Sequence, residues 1–222
     1  MRDKIFTVAY MAAVSAAFTV SVALVNSATY TRRELNDELA EKRVIMEVVG
    51  IEIPKGAKLE KIMEMYEDRV SETGIRVVTG AGEVPVLAAR TEDGELMGYC
   101  FQIAGKGFWD MLWGYVAVSP DLQRIRGLSF YEQSETPGLG AEITKPWFEQ
   151  QFEGKEIPSD TGQDDKLFRL VQPGGAKKAD DVDGVTGATN TSEAVERIVN
   201  NTLINFMQTM RKRKGQSGAG GE

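Results

Sequence analysis

The sequence predicts an α+β protein: one membrane-spanning helix, followed by a domain with a mainly antiparallel sheet and flanking helices. Three observations support this fold class. An uncharged run covers residues 5–25, strand-like segments follow one another between residues 74 and 132, and an amphipathic helix occupies about residues 192–210. A run of strands followed and preceded by helices is the element order typical of α+β domains.

The uncharged run, IFTVAYMAAVSAAFTVSVALV at 5–25, predicts a membrane anchor. A spanning helix needs about 20 mostly apolar residues, whereas the apolar core of a cleaved signal peptide is typically only about 7–15 residues long. This favours a retained helix, although the small residues at 26–28 leave cleavage open. Arg2 and Lys4 flank one end and basic residues at 32–33 flank the other. The distribution of positive charge therefore does not set the orientation.

The remaining elements follow from changes in hydrophobic period. Helices are predicted at 31–49, 57–70 and 145–152, and strands at 74–78, 84–90, 95–104, 114–119, 124–132 and 166–171. The resulting organisation is an N-terminus at 1–4, the anchor at 5–25, a helical connector at 26–73, a binding domain at 74–210 and a basic, glycine-rich tail at 211–222.

The composition narrows the chemistry that the chain can perform. Its formal net charge is −7, and it contains one cysteine, Cys100, and no histidine. The acidic balance argues against a general nucleic-acid binder, which normally has a basic face. One thiol and no imidazole exclude an intrachain disulfide, a Cys/His metal site and a histidine-based triad. Any redox chemistry must therefore use an organic cofactor or a centre on another chain.

Two glycine-bearing loops are candidate binding loops. The first, AGKGFWDMLWG at 104–114, joins two predicted strands, and the second is SETPGLGAEI at 134–143. In the second, Thr136-Pro137-Gly138 has the spacing of a type II turn. Glycines let the backbone approach a flat ring, on which an aromatic or leucine side chain can pack, and let amides point into a pocket. A plain hairpin with aromatic side chains plugging the core and a tight structural turn are the alternatives.

The third loop opens the last helix with the sequence DGVTGATNTSEAVERIV at 183–199. Asn190 can cap the helix, and Glu193 three residues later would complete a capping-box pair. Capping leaves three threonines of this segment without a role. Small residues before a helix N-terminus also suit a phosphate, because free N–H groups and the helix dipole favour an anion. From these residues, capping and phosphate binding both stay open.

Together the three loops resemble those of the FMN-binding subunits of membrane redox pumps. The string TGATNT at 186–191, preceded by Asp183-Gly184, resembles the flavinylation motif of two such subunits: NqrC of the sodium-translocating NADH:quinone oxidoreductase and RnfG of the Rnf complex. The family usually has serine where this chain has Thr186. Further matches are ETPGLG at 135–140, GKGFW at 105–109, GGA at 174–176 and the segment at 42–52. The first and second loops are more similar to the quinone-reductase branch of the family than to the Rnf branch.

The resemblance implies one FMN, held covalently as a phosphoester on Thr191. It implies a cofactor site formed by Thr191, Thr186, Gly187, Ala188, Thr189, Glu135, Thr136, Gly138, Leu139, Gly140 and Trp109. A separate Mg-dependent flavin transferase would attach the flavin, using FAD. The resemblance implies no catalytic residue and no metal site on this chain, because a flavin relays electrons through its own oxidation states. Iron centres and further flavins would lie on neighbouring subunits.

The function implied is that of an electron-relay subunit in an ion-translocating oxidoreductase complex, of the NADH:quinone or ferredoxin:NAD type. The chain would cross the cell (inner) membrane once, with a cytoplasmic N-terminus and a periplasmic FMN domain. Its partners would be other subunits and membrane lipid, and not nucleic acid. Two alternatives stay open: an anchored extracytoplasmic binding or assembly module without flavin, and an FMN carrier for a non-pumping membrane reductase. The basic stretch at 211–214 is expected to complement the dipole of the last helix.

Overall fold

The computed structural model describes residues 2–158 and 166–218. The chain divides into two compact units, Met1–Ala40 and Glu41–Glu222. The helices are α1 (Arg2–Val49), α2 (Leu59–Arg69), α3 (Pro146–Glu149) and α4 (Thr189–Gly218). The strands are β1 (Val70–Thr79), β2 (Gly82–Arg90), β3 (Leu96–Lys106), β4 (Met111–Val118), β5 (Ile125–Glu132), β6 (Arg169–Val171) and β7 (Asp181–Asp183).

The first unit is the N-terminal part of α1. Within it, Lys4–Tyr30 is long and apolar enough to cross a membrane, with a mean hydropathy of 2.0. Large apolar side chains such as Phe6, Phe18 and Leu24 are exposed along this stretch, as expected for a helix whose surroundings are lipid. Separate helices at 5–25 and 31–49 were expected, but α1 is continuous from Arg2 to Val49, because neither glycine nor proline interrupts the sequence between them.

The second unit is built on an antiparallel five-stranded sheet in the order β1-β2-β3-β4-β5. Neighbouring strands are consecutive in the chain, as tight turns between alternating segments predict. Val86, Phe101, Val116 and Leu128 are paired partners across four strands and are all buried. Phe206 of α4 stacks on Phe101, with ring centroids 4.4 Å apart. The predicted α+β class with a mainly antiparallel sheet is confirmed.

The segment between β5 and α4 differs from its predicted form. The helix expected at 145–152 is a single turn, α3, flanked by 3₁₀ turns at Gly140–Thr144 and Gln150–Phe152. The strand expected at 166–171 is reduced to β6, and it pairs in parallel with β7, a strand that the sequence did not predict. Because β7 is the three-residue segment Asp-Val-Asp, it carries too little apolar alternation to be recognised.

The last helix is longer than predicted and begins three residues earlier. α4 runs from Thr189 to Gly218 instead of from about 192 to 210. The basic stretch at 211–214 therefore lies inside the helix, and the last turn contains no basic residue. Its expected role of complementing the helix C-terminus is wrong, because the segment 211–218 continues the helix. The final four residues of the predicted tail lie outside the described residues.

Candidate functional site

A buried carboxylate connects the three glycine-bearing loops. Thr191 lies in the first turn of α4 with only 3% of its surface exposed, and Glu135 is 4% exposed. The Thr191 hydroxyl donates to Glu135 Oε2 over an Oγ1–Oε2 distance of 2.6 Å. Glu135 Oε1 accepts the backbone N–H groups of Phe108 at 2.9 Å and Trp109 at 3.0 Å. One side chain thus holds together segments that the sequence places far apart.

Two glycines are required by the close approach of these groups. A Cβ at Gly140 would lie 2.6 Å from Thr191 Oγ1 and 2.9 Å from Glu135 Oε2. A Cβ at Gly107 would lie 2.6 Å from Glu135 Oε1. Real Cβ atoms do not tolerate such distances, so a side chain at either position would displace the carboxylate or the hydroxyl.

The second loop forms the turn that its sequence predicts. Leu139 donates its N–H to the Thr136 carbonyl at 3.1 Å, and Gly138 between them has a φ of +72°. Glycine at the third position with positive φ is the signature of a type II turn. The turn leaves Leu139 41% exposed. A Cβ at Gly187 would lie 3.0 Å from Leu139 Cδ2, so the leucine reaches the loop that precedes α4.

The aromatic pair of the first loop lies at the surface. Phe108 is 50% and Trp109 is 61% exposed, so the alternative in which these rings plug the core is wrong. The two ring centroids are 5.0 Å apart at an interplanar angle of 66°. Trp109 Nε1 donates to Thr136 Oγ1 at 3.2 Å. An exposed indole that is fixed by a hydrogen bond and an edge contact offers a surface on which another flat ring can pack.

The loop before α4 is held by a hydroxyl that sequence reasoning did not assign. Val185 donates its buried N–H to Ser192 Oγ at 3.0 Å. The Ala188 carbonyl accepts from the Ser192 N–H at 3.0 Å, so Ala188 occupies the N-cap position. The prediction that Asn190 caps the helix is therefore wrong, because Asn190 lies inside the first turn and is exposed. Gly184 is the residue that could have indicated this contact, because a Cβ at that position would lie 3.0 Å from Ser192 Oγ.

The glycine-rich stretch at 174–176 is hydrogen-bonded to Asp183, the first residue of the third loop. Ala176 donates its N–H to Asp183 Oδ1 at 2.9 Å. Asp183 in turn donates its N–H to Gln151 Oε1 at 2.8 Å. Gln151 was not singled out from the sequence, because nothing local in the 3₁₀ turn indicates a contact over 32 positions. These contacts fix the backbone at the start of the motif.

Two cavities border the TGATNT segment at 186–191. The smaller, of about 280 Å³, is lined by Phe108, Trp109, Glu135, Thr136, Leu139, Gly140, Gly187, Ala188, Thr189, Asn190 and Thr191. The larger, of about 490 Å³, is lined by Leu170, Val171, Gln172, Pro173, Gly184, Val185, Thr186, Gly187, Thr189, Ser192 and Glu193. All but two of the predicted site residues line the smaller cavity. Thr186 lines the larger one, and Gly138 lines neither.

The smaller cavity fits a phosphate group beside the Thr191 hydroxyl. The first N–H groups of a helix have no acceptor within it and favour a phosphate, and here they adjoin the Thr191 hydroxyl. Gly140 has no side chain that would crowd that hydroxyl, and the exposed Trp109 and Leu139 side chains line the same cavity. The volume of about 280 Å³ is near the lower end of ligand pockets, which span about 300–1,000 Å³. Part of a bound flavin would therefore be exposed.

Comparison with known proteins agrees with this geometry. The model of the FMN-binding domain family matches residues 107–204, a range that includes the second and third loops and the first loop from Gly107 onward. The NqrC subunit of the Na(+)-translocating NADH-quinone reductase from Neisseria meningitidis is 37% identical over 111 residues, 50% of this chain and 42% of that protein. The same subunit from Vibrio anguillarum is 40% identical over 95 residues, 42% of this chain and 36% of the relative.

Solved structures extend the similarity to about four fifths of the chain. The NqrC subunit from Parabacteroides distasonis has a TM-score of 0.66 and 28% identity, covering 81% of this chain and 96% of that one. NqrC from Shewanella oneidensis has a TM-score of 0.64 and 26% identity, covering 79% and 99%. These matches confirm the family that the sequence resembles. The chain spans less than half the length of the curated relatives named here.

Proposed function

We propose that this chain is an electron-relay subunit that carries one covalent FMN on Thr191 within an ion-translocating membrane oxidoreductase. The observation that carries the proposal is the Thr191–Glu135 hydrogen bond, which places a buried hydroxyl beside a cavity in the FMN-binding domain. The relatives named above are NqrC subunits of the Na(+)-translocating NADH-quinone reductase, which favours the quinone-reductase type of complex.

Each part of the smaller cavity has a task in this proposal. The Thr191 oxygen holds the phosphate, and the N–H groups of the first turn of α4 stabilise its charge. Trp109, fixed by Thr136, and Leu139 pack against the flat ring and shield one side of it from water. Ala188 and Thr189 shape the approach to the phosphate, and Thr186 lies beside them in the wall of the larger cavity. The bound FMN supplies one- and two-electron redox chemistry.

The same relatives and α1 support the proposed location and partners. Lys4–Tyr30 would anchor the chain by a single membrane crossing, in contact with lipid. We propose a cytoplasmic N-terminus and a periplasmic FMN domain in the inner membrane. A covalent tether keeps the flavin from dissociating, so electrons pass from and to redox centres on neighbouring subunits at constant occupancy. A flavin transferase using FAD would act on the chain during maturation.

The test is the intact mass of the full chain, purified after co-expression with a flavin transferase. We expect a mass gain of one FMN less water in the wild type and in Thr191→Ser, which keeps the hydroxyl. Thr191→Ala should remain unmodified. Thr202→Ala is the matched control, because Thr202 is also buried on α4 but lies outside the smaller cavity. An unmodified wild type would contradict the proposal and favour a binding or assembly module without flavin.

A further inference from the structure

We infer that Glu135 is the base that removes the Thr191 hydroxyl proton when the flavin is attached. This inference rests on the proposed function, because it concerns the maturation of the same threonine. It gives the buried carboxylate a role beyond lining the cavity.

The geometry meets the first requirement for a general base. Such a group must lie within about 2.6–3.2 Å of the atom that loses the proton, and Glu135 Oε2 is 2.6 Å from Thr191 Oγ1. The other oxygen, Oε1, accepts the N–H groups of Phe108 and Trp109. Because both of these donors are backbone groups, they fix the carboxylate and leave Oε2 directed at the hydroxyl.

The chemistry of the site creates the need for a base. A threonine hydroxyl is a weak nucleophile, and an adjacent base is a usual means of activating it. Among the described residues that line the smaller cavity, Glu135 is the one with a carboxylate. Thr189 is exposed in the same turn, whereas the Thr191 hydroxyl is the one bonded to this carboxylate. The pairing therefore also selects which threonine reacts.

The proposed step balances with FAD as the co-reactant. The Thr191 Oγ–H bond breaks and its proton moves to Glu135 Oε2. The bond from Oγ1 to the phosphorus on the flavin side of the diphosphate forms, the phosphorus–oxygen bond to the adenylate breaks, and AMP leaves. No electrons are gained or lost. Oγ1 then has no hydrogen to donate, so the proton on Oε2 supplies the hydrogen bond and prevents two buried acceptors from facing each other.

The competing explanation is that Glu135 only joins the loops. Glu135→Gln separates the two roles, since the amide oxygen can still accept from Phe108 and Trp109 but the amide cannot act as a base. Glu149→Gln is a matched control. Glu149 is a partly buried glutamate that accepts a backbone N–H, from Phe130 at 2.9 Å, and lies outside the smaller cavity.

The experiment measures the rate of mass gain by the purified full chain, with purified flavin transferase, Mg²⁺ and FAD. Glu135→Gln should lower kcat by about 100-fold or more, the usual contribution of a general base, with KM for the chain unchanged and thermal unfolding close to that of the wild type. Glu149→Gln should react at the wild-type rate. A Glu135→Gln chain that reacts as fast as wild type, or that changes only KM, overturns the inference.

The outcomes distinguish this inference from the proposed function. If the wild type gains no flavin, the proposed function fails; if it gains flavin on Thr191 and Glu135→Gln does so equally fast, only the inference fails. Should Glu135→Gln not fold, Glu135→Asp decides, because it keeps a carboxylate but withdraws it from Oγ1. A lower kcat at unchanged KM then supports the base, and a wild-type rate overturns it.

Discussion

The two cavities that border the motif have different chemical character. The larger, at about 490 Å³, is lined by aliphatic and polar residues, and its Ser192 hydroxyl is already engaged by the Val185 N–H instead of by a carboxylate. The smaller, at about 280 Å³, contains the Thr191–Glu135 pair and an exposed indole. Volume alone would select the larger cavity as the binding site. The smaller cavity is the better candidate because it contains a buried hydroxyl beside a fixed carboxylate. The arrangement of reactive groups is therefore a better guide to the site than cavity volume.

The largest effect is expected from a substitution at Gly140, beside the Thr191–Glu135 pair of the smaller cavity. Gly140→Ala would put a Cβ 2.6 Å from Thr191 Oγ1, and a displacement of about 1 Å at a reacting group can cost about 100-fold in rate. We therefore expect flavin attachment to fall by about that factor, together with a loss of about 1–3 kcal/mol in the free energy of unfolding from overpacking. Intact mass against time and urea denaturation measure the two effects.

The control for this substitution is Gly154→Ala. Gly154 has a φ of +71° but open space around its Cβ position, so alanine there costs about 1–2 kcal/mol of backbone strain without touching the site. Attachment should proceed at the wild-type rate. Normal attachment in Gly140→Ala would show that the Thr191–Glu135 geometry is not needed for the reaction.

A substitution at Trp109, with an intermediate expected effect, tests which cavity borders the flavin ring. In the loaded protein, Trp109→Ala should raise the flavin fluorescence, because an indole packed on the ring quenches it, and should remove about 0.5–1.5 kcal/mol of aromatic packing. Trp147→Ala is the matched control, since Trp147 is also exposed, at 46%, and lies outside both cavities. Unchanged fluorescence in Trp109→Ala would place the ring against the walls of the larger cavity.

The smallest effect concerns the segment behind the larger cavity. The N–H groups of Lys177 and Lys178 bind the Asp181 carboxylate and, with Arg169, hold its pKa below the usual range. The stabilisation is therefore present above the unfolded pKa of about 3.9 and is lost as the pH falls through the lower folded pKa. Asp181→Asn should lower the urea midpoint near neutral pH and make the acid loss of stability shallower.

The Asp181 variant also tests whether the two cavities are independent. Flavin attachment to Thr191 should be unaffected, because Asp181 contacts the Lys177–Lys178 turn and Arg169 rather than the smaller cavity. An attachment rate that falls together with the urea midpoint would mean that the support behind the loop controls the reactive pair.

Local patterns in the sequence were enough to predict much of this fold. The apolar run, the five strands of the sheet and the stripe of α4 follow from hydrophobic period, which depends only on neighbouring residues. The turn around Gly138 follows from proline and glycine at fixed offsets. Helix ends were less well predicted, because the start of α4 depends on Ser192 binding Val185 and not on the residue with the best capping propensity.

For the candidate site, the sequence by itself determined which three loops matter, in what order, and which threonine the family motif selects. Only the tertiary structure brought those loops together. The hydrogen bond from Thr191 to Glu135 spans 56 positions, and the bonds from Phe108 and Trp109 to the same carboxylate span 27 and 26. No local period or turn preference encodes such contacts, because they depend on how the sheet and α4 pack. The burial of the hydroxyl, its partner and the exposure of the indole were therefore decided by the fold.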